Sequence, residues 1–189
     1  MIQLDGAILR ALEPKDVDSL YAYRNDWQVA RLLGGFSAGY SRANLEDWIQ
    51  RHLNTADEML WTIADRVTDE SLGHVGLYDI DTRLRKAEFA ILIGYPKRWD
   101  QGLGTEVSEA VLRWAFDQAN LHKVSLRVLA DNPRAIHIYE RLGFTRDGVL
   151  RDEQFRDGRF VDIVIMSLLE DEWRRASRVP IANRSEDGR

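Results

Sequence analysis

Two short stretches of the chain carry residues whose types and spacing suit work on a ligand. The first is Trp99-Asp100-Gln101-Gly102-Leu103-Gly104-Thr105-Glu106. Glycines at i and i+2 let backbone N–H groups approach a ligand with no Cβ in the way. Where such a turn opens a helix, unpaired first-turn N–H groups and the positive end of the helix dipole suit a phosphate or pyrophosphate. No Gly-Lys-Ser/Thr follows, which excludes a P-loop. The third glycine of a dinucleotide fingerprint is missing and the turn lies in mid-chain, which argues against that motif as well. A plain strand-to-helix turn has the same signature, and the turn alone does not separate the two.

The second stretch is Asn132-Pro133-Arg134-Ala135-Ile136-His137-Ile138-Tyr139-Glu140-Arg141-Leu142-Gly143-Phe144. Asn132 suits an N-cap, Pro133 a first helical turn and Gly143 the position after the helix. Asn132 and Tyr139 stand at i and i+7, so they share one helical face, while Ile136 belongs to the core face. Each has a structural reading beside a chemical one: a core aromatic for Tyr139, a helix cap for Asn132.

The elements that must position these stretches follow from periodicity. Residues 7–12, 60–64, 73–78, 87–93, 124–128, 149–155 and 160–169 read as strands. Asp157-Gly158 joins the last two as a tight hairpin. Helices are predicted after Pro14, with Val17, Leu20, Tyr21 and Arg24 in register, and after Ser41, with Leu45, Trp48, Ile49 and Leu53 on one face. Leu103, Val107, Ala110, Val111, Trp114 and Ala115 mark a third, amphipathic helix, and 135–142 a fourth. The order β-α-α-β-β-β-α-β-α-β-β predicts an α/β (α+β) domain with a mixed sheet of about seven strands and about four helices. It is expected to span 1–175, with 176–189 a polar, frayed tail.

Composition narrows the function. The chain of 189 residues has no cysteine, so disulfides, thiolate zinc sites and cysteine nucleophiles are excluded. No group of His and carboxylates has metal-ligand spacing, so no metal is predicted. A net charge of −5 argues against a nucleic-acid partner; it suits a cationic one or simply solubility. No apolar run is long enough to span a bilayer, and the N-terminus lacks the pattern of a signal peptide. The expected compartment is cytoplasmic, with no membrane partner.

Taken together, the two motifs, their order and the strand between them resemble the GNAT superfamily of N-acetyltransferases. That family shows an Arg/Gln-x-x-Gly-x-Gly/Ala turn opening one helix, then an Asn-x-x-(Ala/Ser)-x-x-x-Tyr-x-x-x-Gly-Phe helix. The resemblance covers roughly residues 7 to 173. Ala87-Glu88-Phe89, the Gly148–Arg151 stretch and the Asp157–Asp162 hairpin with Met166 are most similar to the spermidine and ribosomal-protein N-acetyltransferase branches. One departure is Trp99 where many members have Arg or Gln. Another is Asp100, whose carboxylate would weaken phosphate binding if turned inward.

The resemblance implies acetyl-CoA as cosubstrate, held at the pyrophosphate by Gln101, Gly102, Leu103, Gly104 and Thr105. Its pantetheine would lie along Ile91, Leu92 and Ile93, with a backbone N–H near Ile93 polarising the thioester carbonyl. Tyr139 would protonate the leaving thiolate and Asn132 would order the cofactor near the thioester. Glu88 is the first candidate for the base that deprotonates the amine; an ion pair with Arg83, Arg85 or Lys86 is its structural alternative. His74 and His122 are weaker candidates, and Glu106 suits the helix dipole.

The acceptor is expected between the first two helices and the opening between strands 87–93 and 124–128. Arg24, Asn25, Asp26, Trp27, Phe36, Tyr40, Trp48 and Phe155 lie in that region, and several suit a core role equally. Aromatic rings and carboxylates there suit a small-molecule amine such as a polyamine or amino sugar. The alternatives are the α-amine of a protein terminus, and an acetyl-CoA-binding sensor without turnover. The resemblance also implies a homodimer.

Overall fold

The computed structural model describes residues 1–33 and 39–178. In chain order these form β1 (Ile2–Gln3), β2 (Ile8–Ala11), a 3-10 turn at Pro14–Asp16, α1 (Val17–Arg24), α2 (Trp27–Ala30) and α3 (Arg42–Leu53). Next come β3 (Met59–Ala64), β4 (Ser71–Asp81), β5 (Lys86–Ile93), a 3-10 turn at Pro96–Arg98, α4 (Leu103–Asp117) and β6 (Lys123–Leu129). The chain ends in α5 (Pro133–Arg141), β7 (Thr145–Arg156), β8 (Arg159–Leu169) and α6 (Glu170–Arg178).

All the strands join one eight-stranded sheet in the order β1-β2-β3-β4-β5-β6-β8-β7. Every neighbouring pair is antiparallel except β5 and β6. Parallel neighbours need a crossover, and α4 supplies it. Val107, Val111, Leu112, Ala115 and Phe116 bury one face of α4. They pack with Val75, Leu77, Phe89 and Val124 in the larger core. The opposite face of the sheet is covered by α1 and α3, where Leu20, Tyr23, Leu45 and Ile49 pack with Leu92.

The β5–β6 pairing is short. It holds only at Lys86↔Lys123, Ala87↔Val124 and Glu88↔Ser125. Beyond Glu88 the two strands no longer pair with each other, β5 running to Ile93 beside β4 and β6 to Leu129 beside β8, and a wedge opens in the middle of the sheet.

The start of α1 is anchored by a buried ion pair. Arg10 and Asp16 are 5% and 2% exposed, and two hydrogen bonds of 2.9 and 2.7 Å join them side by side. Thr62 Oγ1 adds a third bond to Asp16 at 2.9 Å. This fastens α1 to β2 and β3.

Among the described residues there are eight strands and six α-helices, where the sequence predicts about seven and about four. The additions are β1, whose two residues pair with β2, the single turn α2, and α6. Three acidic residues favour the N-terminus of α6, and Glu172 accepts the Leu169 N–H at 2.9 Å. Trp173 is buried, its ring centre 5.9 Å from that of Phe116; an isolated large apolar residue leaves no periodic signal in sequence. The helix runs through Arg178, past the 175/176 boundary, and residues 179–189 lie outside the described residues. Among the described residues no helix is long and apolar enough to cross a membrane, and no group of His, Cys, Asp and Glu could hold a metal.

Candidate active site

The wedge brings both sequence motifs to one place. Tyr139 on α5 stands edge-on to Phe89, with ring centres 6.3 Å apart, and to Phe144 at 5.8 Å. Phe89 directly follows Glu88, where β5 and β6 part, so the phenol sits at the apex of the wedge. Burial pushes its pKa up to about 12, which keeps it protonated through neutral pH. Its hydroxyl has no hydrogen-bond partner among the described residues.

The glycine turn opens beside it. Gly102 is the N-cap of α4 at φ +82°, a conformation that favours glycine. A Cβ built at Gly102 or Gly104 would meet nothing within 4 Å, so the space outside the turn is open to a ligand. The first N–H groups of α4 lack intrahelical acceptors. Those unpaired donors beside open space fit a pyrophosphate. Trp99 Nε1 donates to the Ile93 carbonyl at 3.0 Å; that bond ties the turn to the end of β5 and occupies one main-chain acceptor on the 91–93 stretch. Gln101 turns its side-chain amide back to Lys97 O at 2.6 Å.

Asp100 turns sideways rather than inward. Its Oδ1 lies 3.1 Å from Arg134 Nε, and the Arg134 guanidinium stands 5.3 Å from the centre of the Trp99 ring. Asn132 caps α5, its Oδ1 accepting from Ala135 N at 3.2 Å. Glu106 accepts the Asp5 N–H at 2.5 Å, which directs it to the β1–β2 turn.

Glu88 points to the other face of the sheet. Strand alternation places it with Leu92, on the α1–α3 side, while Phe89 faces α4 and α5. The hairpin ion pair does not form: Arg85 is held by Asn120 and Glu170, and Glu88 has no partner among the described residues. Burial raises its carboxyl pKa, Arg127 opposes that and Asp79 adds to it. A carboxylate with raised pKa is a stronger base than an exposed one.

His74 lies on the same face but is shut in. Burial, then the charges of Arg24 and His52, hold its pKa well below the usual imidazole range. Tyr23 Oη and Arg24 Nη2 each lie 3.3 Å from its ring nitrogens. His122 is exposed just before β6, at the paired end of the strands and away from the wedge.

Of the expected acceptor residues, Arg24, Asn25, Tyr40 and Trp48 come together. Arg24 stands over Trp48 at 4.7 Å and Tyr40 at 5.5 Å. Asn25 pairs with both backbone groups of Tyr40, at 3.0 and 2.8 Å. Asp26 is spent on capping α2. Trp27 is 68% exposed, with no contact to this group. Phe155 meets Phe160 at the hairpin tip, 5.0 Å between ring centres. Arg156 carries that hairpin to the Arg31 carbonyl and to Asp131. Phe36 lies outside the described residues. Tyr78, His52 and Glu58 complete the face and were not singled out from the sequence. Tyr78 pairs in register with Glu88, His52 is hydrogen-bonded to Glu58, and only strand pairing and helix packing reveal either relation.

The acetyltransferase (GNAT) domain family matches residues 7–145. A spermidine N(1)-acetyltransferase of Vibrio cholerae serotype O1 is 31% identical over 166 residues, covering 87% of this chain and 94% of that protein. A putative ribosomal N-acetyltransferase of Bacillus subtilis is 28% identical over 176 residues, covering 87% of this chain and 92% of that one. The crystal structure of spermidine N-acetyltransferase from Vibrio cholerae with CoA and spermine superposes with a TM-score of 0.82. The identity is 29%, covering 90% of this chain and 99% of that one.

Proposed function

This chain belongs to the acetyltransferase (GNAT) family and is an acyltransferase, and we propose that it transfers acetyl from acetyl-CoA directly to a primary amine of a small molecule, a polyamine or an amino sugar. The observation that carries this reading is the wedge beyond Glu88↔Ser125. A phenol with a free hydroxyl packs at its apex on one face, and an unpaired carboxylate stands on the other.

Acetyl-CoA supplies the activated acyl group. The N–H groups of Gln101 to Thr105 hold its pyrophosphate, and Ile91, Leu92 and Ile93 offer main chain to the pantetheine. Glu88 takes a proton from the acceptor ammonium, directly or through water. As the amine nitrogen bonds to the acyl carbon and the carbon–sulfur bond breaks, Tyr139 donates its proton to the sulfur. A main-chain N–H near Ile93 stabilises the charge on the acyl oxygen. Asn132, its oxygen committed to the cap, keeps an amide NH2 for the cofactor. The same reading makes the enzyme a cytoplasmic homodimer.

The test is an acetylation screen read by mass shift and thiol release. The amines are spermidine, glucosamine and a peptide with a free N-terminus. Acetylation of a small amine is expected. Acetylation of the peptide alone would move the reading to protein termini. CoA binding without any acetylation would leave a sensor and overturn it.

A further inference from the structure

The face that carries Glu88 also holds a cation with no counter-ion among the described residues. Arg24 has no carboxylate in ion-pair contact among the described residues. A guanidinium offers five N–H donors. One hydrogen bond is recorded, at 3.3 Å to His74 Nε2, a neutral acceptor. Nε is buried and has no partner among the described residues. Trp48 and Tyr40 flank the group with their rings.

This is an incompletely satisfied charge in a partly desolvated place, which costs free energy that an anion would offset. Neighbouring groups hold it ready. Asn25 ties down the Tyr40 backbone by two hydrogen bonds of 3.0 and 2.8 Å. Trp48 packs on His52 at 4.3 Å and on His74 at 5.1 Å between ring centres. Guanidinium presents a planar fork that matches a carboxylate or phosphate.

Its place relative to Glu88 follows from register. His74, which Arg24 contacts, pairs with Leu92, and Tyr78 pairs with Glu88. The two pairs are four residues apart along β5, roughly 13 Å at the rise of a strand. The Tyr78 ring leans back over Gly76, where an added Cβ would lie 3.0 Å from it. A strip of aromatic surface, Tyr78, His52 and Trp48, therefore runs between the two positions, with ring centres 6.0 and 4.3 Å apart.

We propose that Arg24 forms an anion subsite in the acceptor cleft, so that the preferred acceptor is a primary amine that also bears a carboxylate or phosphate. This deepens the acetyl-transfer reading and rests on it. Such a ligand would lay its amine at Glu88 and its anion against the Arg24 fork, with its body along Tyr78 and Trp48. Within the acceptors proposed above, this favours an amino sugar that bears an anion over a bare polyamine, which would meet the same cation as a repulsion.

Matched pairs test this: glucosamine against glucosamine 6-phosphate, and cadaverine against lysine, each assayed with the full chain and acetyl-CoA. Within a pair the anionic member should show kcat/KM roughly tenfold higher or more. Arg24→Gln should bring that ratio to about one. Arg24→Lys, which keeps the charge but loses the fork, should lower it several-fold and serves if the glutamine variant does not fold. A preference in one pair alone identifies the anion as phosphate or carboxylate. A wild-type ratio at or below one in both pairs, or a ratio that neither Arg24 variant moves, overturns the proposal. If no amine is acetylated, calorimetry on the CoA-saturated chain decides separately. Binding of glucosamine 6-phosphate or lysine that Arg24→Gln abolishes supports the subsite while the transfer reading fails. No binding, or binding the variant leaves intact, overturns the subsite.

Discussion

Arg134 Nε lies 3.1 Å from Asp100 Oδ1, so a side chain at the start of α5 is fastened to the turn that opens α4. The bridge joins the two helix starts that flank the wedge. It also resolves the oddity of an acidic residue beside a phosphate cradle, because the carboxylate faces a guanidinium instead of the cradle. Arg134→Ala is expected to raise KM for acetyl-CoA several-fold, since it removes a cation and frees Asp100. Adding Asp100→Asn should recover part of that loss. Initial rates for both variants check this, and a double variant no better than the single one would refute it.

The open space at Gly104 separates binding from folding. Nothing lies within 4 Å of a Cβ there, and alanine favours a helix over glycine by up to about 1 kcal/mol. Gly104→Ala should therefore melt at or slightly above the wild-type temperature while its CoA dissociation constant rises. Calorimetry of CoA binding beside a thermal melt distinguishes this from a glycine kept for packing.

Tyr139→Phe keeps the ring contacts with Phe89 and Phe144 and removes only the hydroxyl. The expectation is a fall in kcat of roughly 100-fold or more, with CoA affinity little changed. Unchanged turnover would remove the phenol from its assigned role.

Glu88 predicts the acid limb of the pH profile. Its carboxyl pKa is raised by burial, so activity should fall as pH drops through that raised value, above the range of an exposed glutamate. Glu88→Gln should lower kcat/KM at neutral pH by roughly 100-fold and abolish that limb. The stability effect has the opposite sign. A folded-state pKa above the unfolded one means the native state binds the extra proton, so stability declines as pH rises through that window. The glutamine variant should thus melt no lower than wild type at pH 7. An unchanged acid limb in this variant would assign the base to another group.

Much of the scaffold was legible because local patterns state it. Leu103, Val107, Val111 and Ala115 reappear in the buried face of α4, with Ala110 and Trp114 half-buried at its margin. Asp157 and Gly158 both take positive φ, 49° and 77°, as a two-residue hairpin requires. Asn132, Pro133 and Ser41 begin their helices as their chemistry predicts. β7 was harder to place. It is an edge strand, exposed along most of its length and interrupted by register shifts, so no alternation announces where it starts.

The chain by itself determined most of its elements, the two helix starts and the phenol on the second of those helices, because caps, turns and periodicity act over a few residues. Which charges stay unpaired was decided only by tertiary structure. Arg85 lies only three residues from Glu88 in sequence, yet it reaches Asn120 and Glu170. Asp100 found Arg134 across the gap between α4 and α5, and Arg24 found two aromatic rings and an imidazole instead of a carboxylate. Ion pairing depends on which side chains the packed elements bring within a few ångströms, and only the folded sheet, parted beyond Glu88, sets those distances.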